Sequence, residues 1–252
     1  MGDVMPTAAV IIIGDEILSG KFADENGPFL IRRLGELGCD LGRLVVVGDT
    51  VPDIADEVAR CAERYDHVLT TGGVGPTHDD RTLEGIAAAF GLPLERRSEL
   101  VTLLEAFELP LTEANLRMAT LPGTAQLVSS LGSSFPVVRV RNVWVFPGIP
   151  RLMRTKFDDV AEAFAGERIQ RIRLYCRQPE AEIADRLAAV QAELSSVTIG
   201  SYPRWGEAEF QVIISLDSRD SSAITRAVER LRDSFDLLDE APAVPSTSEE
   251  PT

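Results

Sequence analysis

The 252-residue chain is poor in the side chains that build redox and metal centres, with three cysteines and two histidines. Cys39, Cys61 and Cys176 are odd in number and far apart, and no CxxC occurs. This argues against a disulfide framework and against a Cys/His zinc site. His67 and His78 are too few to make a Ser/His/Asp set credible. Basic residues are also scarce: 25 Lys and Arg stand against 40 Asp and Glu, a net charge of −15. A surface this acidic repels phosphate backbones, so no nucleic acid is expected as a partner. It equally disfavours a polybasic membrane anchor. No long apolar run is present. Ala8 to Ile13 is too short to span a bilayer, and its N-terminal flank carries Asp3 and no base, unlike a signal peptide. The expectation is an intracellular, cytoplasmic protein with no membrane contact. A small anionic ligand remains compatible, because backbone N–H groups and one or two local cations can hold it.

The apolar content, 44%, is enough to fill a core. Thr7–Ile13 is a continuous β-branched run that suits a strand buried on both faces. Asn26 to Gly38 spaces Phe29, Leu30, Leu34 and Leu37 as a helix does. Leu41 to Val47 reads as a second strand, Ile54 to Cys61 as a helical face, and His67–Thr71 as a third strand. A helix follows through Leu83, Ile86, Ala87 and Phe90, closed by Gly91. This alternation predicts an α/β fold, a three-layer αβα arrangement with a mostly parallel sheet. Ser98 to Phe107 and Thr112 to Ala119 look helical, Val137–Val140 and Val143–Phe146 look like strands, and Arg151 to Phe164 reads as a helix. From Ile169 the pattern changes. A strand through Ile172 and Leu174 precedes a helix with Pro179 at its first position. Strands at Thr198 to Tyr202 and Phe210 to Leu216 and a helix through Ile224 and Leu231 complete a small α+β domain of βαββα order. The expected domains are 1–167, 168–238 and a disordered acidic tail at 239–252.

The strongest local signal is Thr71-Gly72-Gly73-Val74-Gly75-Pro76-Thr77-His78-Asp79-Asp80, placed where the third strand meets its helix. Ligands of open parallel sheets bind beyond the strands' carboxyl ends, where glycines let the backbone approach closely. Their N–H groups can cradle an anion. The run is neither a P-loop nor GxGxxG. A bland reading is a tight turn with a capping box, Thr77 at the N-cap and Asp80 three residues on. Two adjacent carboxylates favour function, since hard cations take carboxylate oxygens and bridge phosphates. His78 beside them is a conceivable general base, though a single loop histidine is more often just exposed or hydrogen-bonded. Gly14-Asp15-Glu16-Ile17-Leu18-Ser19-Gly20-Lys21 follows the first strand and would line the same edge. Lys21 is one of only two lysines, the other being Lys156. A lysine beside glycine suits a phosphate. Asp49 and the Pro147-Gly148-Ile149-Pro150 turn also follow strands. Each alone reads as an ordinary turn or helix-end residue; together they argue for one shared site.

These motifs, with Asp24, Asn26, Thr82, Asn115 and the stretch Phe135 to Val143, resemble the MoaB/Mog-type molybdopterin-binding domain family. The branch most like this chain contains the N-terminal region of competence/damage-inducible protein A and the molybdopterin-binding region of eukaryotic FAD synthase. The specific likeness covers residues 7 to about 155 and continues more loosely through the βαββα segment. It implies a nucleotide or pterin diphosphate site and similarity to metal-dependent pyrophosphatases acting on ADP-ribose or FAD. Asp80 and Asp49 fall where the family's adenylyltransferases carry functional aspartates. Two departures stand out: Leu152-Met153 replaces a common Glu-Met pair, and Asp24-Glu25-Asn26 replaces Asp-Thr-Asn. Neither a nicotinamide mononucleotide deamidase domain nor an FAD-synthesising domain is expected here.

Two functions follow. In the first, the chain is a metal-dependent nucleotide pyrophosphatase. Asp79 and Asp80 are then catalytic and hold Mg, Mn or Co. The substrate is held by Gly14, Asp15, Glu16, Ser19, Gly20, Lys21, Asn26 and Asp49, by Thr71, Gly72, Gly73, Gly75, Pro76, Thr77 and Thr82, and by Pro147 and Gly148. In the second, the chain is a non-catalytic binding module for molybdopterin or a nucleotide, linked to molybdenum cofactor metabolism. The paired carboxylates favour the enzyme, because a pure anion site gains little from them. The expected partners are a small nucleotide or pterin ligand and further copies of the chain.

Overall fold

A computed structural model describes residues 5–128, 135–167, 169–207 and 209–241. The chain divides into two compact units after Glu167. The first begins with β1 (Thr7–Ile13), α1 (Asp15–Leu18), α2 (Asn26–Glu36), β2 (Asp40–Val47), α3 (Val51–Ala62), β3 (His67–Thr71) and α4 (Thr82–Phe90). It continues through β4 (Leu94–Arg96), α5 (Ser98–Ala106), α6 (Glu113–Arg117), β5 (Thr120–Pro122), β6 (Gln126–Val128), β7 (Val137–Val140), β8 (Val143–Phe146) and α7 (Pro150–Val160), which ends in a 3-10 turn at Ala161–Phe164.

Among the described residues the main sheet has six strands in the order β2-β1-β3-β8-β7-β6. Neighbours from β2 to β8 are parallel, and only β7 runs against its neighbours. Strand β1 is buried from Ala8 to Ile13, as its unbroken apolar run requires. Ala8, Val10 and Ile12 pack with Phe29, Leu30, Leu34 and Phe157 from α2 and α7. Ala9, Ile11 and Ile13 pack with Ile54, Val58, Ile86 and Leu100 from α3, α4 and α5. Alternate residues of one strand thus feed two cores, which makes the three layers. Register pairs Ile13 with Val47, Ile12 with Thr71 and Thr71 with Phe146, so four parallel strands end at one edge.

The second unit contains β9 (Gln170–Cys176), α8 (Glu180–Glu193), β10 (Thr198–Pro203), β11 (Val212–Ser218) and α9 (Ser221–Arg232). Its strands form an antiparallel sheet, β10-β11-β9, and Leu174, Ile183, Val190, Val212, Ile214 and Leu231 share its core.

Local details differ from the sequence reading. Pro179 is the N-cap and α8 starts at Glu180. Its extended backbone leads into the helix, which starts one residue later than expected. Thr77 does not cap α4, whose N-cap is Arg81. The Thr77–Asp80 bonds instead close a turn ahead of that helix. Phe210 is buried but precedes β11. The segment after Gly14, read as a loop, contains the one-turn helix α1. The acidic tail lies outside the described residues from 242 onward.

Candidate active site

The parallel strands deliver Gly14, Gly48-Asp49, Gly72 and Pro147-Gly148 to the same sheet edge. Strand order diverges between β1 and β3, the place where open α/β sheets leave a crevice. Gly72 follows β3 there with φ +104°, and a β-carbon on it would fall on the Ile13 carbonyl oxygen. Gly73 follows with φ +60°. Only glycine holds this backbone without strain. The loop is pinned from behind: the buried Thr82 hydroxyl donates to the Gly72 carbonyl at 2.7 Å, and the Thr82 N–H donates to Gly73 O at 3.0 Å. Thr71 donates its hydroxyl to Pro147 O at 2.9 Å. The Asn26 amide, 5% exposed, donates to Thr71 Oγ1 at 2.9 Å and to Gly148 O at 2.8 Å. Asn26 therefore ties together the start of α2, the end of β3 and the 147–148 turn.

With its donors aligned this way, the loop lines a cavity of about 840 Å³, within the range of small-molecule sites. Gly72, Gly73, Val74, Gly75, Pro76, Asp80 and Glu16 line it, as do Pro147 and Gly148. Among the described residues the N–H groups of Gly73, Val74 and Gly75 donate to no protein acceptor. Asp80 is held by the Thr77 N–H at 2.8 Å and by the Thr77 hydroxyl. The Thr77 carbonyl in turn accepts from Arg117 at 3.2 Å.

Other expected site residues stand elsewhere. Asp79, adjacent to Asp80, does not line the cavity; its side chain is 62% exposed, with His78 Nδ1 at 3.8 Å. Lys21 is exposed, its Nζ 5.7 Å from the Phe22 ring, and the Ser19 hydroxyl donates to Glu16 O at 3.3 Å. Neither these two nor Gly14 and Gly20 line the cavity. Asp15 and Asp49 cross-bond: the Asp15 N–H donates to Asp49 Oδ2 at 2.8 Å, and the Asp49 N–H to Asp15 Oδ1 at 3.4 Å. Burial pushes the Asp49 carboxyl above the ordinary aspartate range, and the charges of Asp15, Glu16 and Asp79 add to this against the Asp15 N–H bond.

The cavity wall also carries Phe107, Leu109, Phe135, Leu152 and Lys156, none of which the sequence reading placed in the site. The rarity of lysine was a visible signal, but the adjacent glycine motif pointed to Lys21 and nothing local pointed to Lys156. Thiol chemistry has no place here, since the cysteines are buried and burial pushes Cys39 and Cys61 up to about 12. Among the described residues no three His, Cys, Asp or Glu side chains converge on a metal position. A divalent ion of the magnesium type typically takes one or two carboxylates and completes its shell with phosphates and water. Asp80 and Glu16 are the two carboxylates that line the cavity together with the glycine loop. No helix among the described residues is long and apolar enough to cross a membrane.

Comparison with known proteins adds the lineage. Residues 9–166 match the family described as "probable molybdopterin binding domain", and residues 168–239 match "FAD synthase, middle domain". A "Probable FAD synthase" of Caenorhabditis elegans is 34% identical over 90% of this chain and 49% of its own length. The chain thus spans about half of that relative. A protein of Archaeoglobus fulgidus is 31% identical over 89% of this chain and 96% of its own. The crystal structure of a CinA protein of unknown function from Thermoplasma acidophilum superposes with TM-score 0.58 at 28% identity, covering 64% of this chain and 98% of that one. A glycine loop at the β1–β3 crevice of a mostly parallel sheet, together with these matches over both units, shows that the chain belongs to the molybdopterin-binding, CinA-like domain family and carries an FAD synthase middle-domain module behind it.

Proposed function

We propose that the chain hydrolyses the diphosphate bond of a dinucleotide such as ADP-ribose or FAD, with a divalent cation, Mg, Mn or Co, at the glycine loop. One observation carries this reading. Among the described residues, three successive N–H groups, at Gly73, Val74 and Gly75, have no protein acceptor on a cavity wall that also presents Asp80 and Glu16. Successive backbone N–H groups in a turn form an anion-binding concavity. Carboxylates beside that cradle repel a bare diphosphate and suit a cation-bridged one. A bound ion would neutralise phosphate charge and lower the pKa of water at the site. The chain's own work is positional. The glycine N–H groups hold phosphate oxygens, and Thr77 fixes the Asp80 carboxylate through two donors. Asn26 and Thr82 keep the loop from shifting.

The test is phosphate release from ADP-ribose and FAD in a coupled phosphatase assay with each of the three metals. Asp80→Asn and Glu16→Gln should each lower turnover at least about a hundredfold, the loss of several kcal/mol of transition-state stabilisation. The paired-aspartate reading requires Asp79→Asn to lose as much; because Asp80 lines the cavity and Asp79 does not, the larger loss is expected for Asp80→Asn. Near-normal turnover in Asp80→Asn would overturn the catalytic reading.

The exposure of Asp79 and the lack of a three-ligand cluster among the described residues favour one second reading, a non-catalytic molybdopterin or nucleotide carrier. Calorimetric binding of a nucleotide without metal-dependent turnover would place it ahead. The activity in the name of the Caenorhabditis elegans relative belongs to a protein twice as long, so synthesis of FAD is not proposed for this chain.

A further inference from the structure

The glycine loop borders more than one cavity. Gly73, Val74, Gly75 and Asp80, which line the main cavity, also line a second cleft of about 290 Å³ together with Arg96 and Arg117. Of residues 74–79, only Val74 packs on an apolar core among the described residues. Backbone with so few packed neighbours takes its position from the hydrogen bonds that reach it. Thr82 secures the loop at Gly72 and Gly73. Further along, the Asp80 N–H donates to the Thr77 carbonyl at 3.3 Å, and the Thr77 N–H donates to Asp80 Oδ2 at 2.8 Å. Both bonds are internal to the turn. Among the described residues, one hydrogen bond reaches 74–79 from outside the loop. Arg117 Nη1 donates to the Thr77 carbonyl at 3.2 Å, across 40 residues of sequence.

The backbone that carries Arg117 is itself tied down. In α6 the Thr112 hydroxyl accepts from the Asn115 N–H at 3.3 Å, and Leu116 is buried. Just beyond, the Thr120 hydroxyl donates to the Leu116 carbonyl at 2.7 Å. Arg96, in the same cleft, pairs with Glu113 at 3.2 Å. Arg117 pairs with no carboxylate among the described residues, although the chain has 40 acids. Its guanidinium is directed to a backbone carbonyl instead, and a charged donor holds a carbonyl more firmly than a neutral one. That carbonyl closes the turn, and the Thr77 N–H and hydroxyl both hold Asp80 Oδ2. Fixing Thr77 therefore fixes the direction of the Asp80 carboxylate.

We propose that Arg117 is a positioning residue. Through the Thr77 carbonyl it holds the turn that aims Asp80, and so sets the strength of the cation site without touching the ion or the substrate. The inference rests on the cation-bridged diphosphate reading, because it concerns how Asp80 is held for that role.

The experiment measures binding of Mn²⁺ alone, from the paramagnetic resonance of the free ion, to the full chain and to D80N, R117Q and the double variant. Binding lost in D80N defines the site at Asp80. R117Q should weaken that site about fivefold or more, as loss of one hydrogen bond does. In the D80N background it should change the residual binding by less than about twofold, because a residue that acts through Asp80 has no further effect once Asp80 is disabled. Removing a positive charge near a cation site tightens the site by Coulomb attraction alone, so an arginine that is only a neighbour gives the opposite sign. Unchanged or tighter Mn²⁺ binding in R117Q overturns the proposal. So does an equal loss in both backgrounds. Failure of R117Q to fold, judged by its thermal midpoint, overturns it too, by assigning Arg117 to the fold. Weaker binding in D80N but not in R117Q removes this inference alone. A wild type without any Asp80-dependent Mn²⁺ site removes it together with the cation-bridged reading.

Discussion

Asp49 shows how a single carboxylate records its surroundings. Its carboxyl is raised first by burial, then by three acidic neighbours. A carboxyl whose folded pKa lies above its unfolded one favours the folded state when protonated. Its stabilising contribution is complete below the ordinary aspartate value and is lost as pH rises through the raised one. The ionised form of Asp49 is therefore the one the fold disfavours. Asp49→Asn keeps an oxygen for the Asp15 N–H and removes the charge. The variant should melt about 1–3 °C above the wild type at pH 7 and level with it near pH 3.5, as thermal scans at the two pH values would show. A lower midpoint at pH 7 would mean that the charge serves a contact worth more than the repulsion. Residue identity alone could not have signalled this. The chain offers 40 acids, and only the fold brings Asp15, Glu16, Asp49 and Asp79 within range of one another.

The element that matters most is the glycine loop between β3 and α4. Gly72→Ala would force a side chain into a backbone of φ +104° and onto the Ile13 carbonyl. The expected cost is about 2 kcal/mol or more. Thr82→Val keeps the shape but leaves the Gly72 carbonyl without its buried donor, at a cost of about 1–3 kcal/mol. Urea unfolding of both variants checks the two figures. A midpoint unchanged in Gly72→Ala would show that the loop relaxes away from Ile13. The longer elements were legible because seven-residue apolar runs and helical stripes repeat long enough to reveal a period. The short strands β4, β5 and β6, three residues each, contain too little sequence for any period to show. Helix α1 was hidden for the same reason, its four residues opening on a Gly-Asp-Glu sequence that also suits a turn.

At the scale of the whole chain, each unit has its own apolar core. The first packs on both faces of its sheet, and the second gathers Leu174, Ile183, Val212 and Leu231 around three strands. A region with its own core is able to fold alone. Residues 1–167 expressed by themselves should therefore unfold in a single cooperative transition. They should also hydrolyse the responsive dinucleotide within about threefold of the full chain, because the cavity is lined from that unit alone. Calorimetry and the coupled assay read the two outcomes, and loss of turnover in a folded fragment would assign the second unit a part in the site.

The amino-acid sequence by itself determined the alternation of strands and helices, the burial of β1 on both faces and the arrival of glycine-rich loops after parallel strands. These are local properties: period, β-branching and the conformational freedom of glycine act over a few residues. Which loop residues face the cavity was decided only by tertiary structure. Asp79 and Asp80 are neighbours in sequence, yet Asp80 lines the cavity and Asp79 does not. Lys21 carried the stronger motif, yet Lys156 from the far side of the sequence reaches the wall. The reason is that a loop's orientation is set by bonds to distant partners. Asn26 takes its place from Gly148, 122 residues away, and no short-range pattern carries that information.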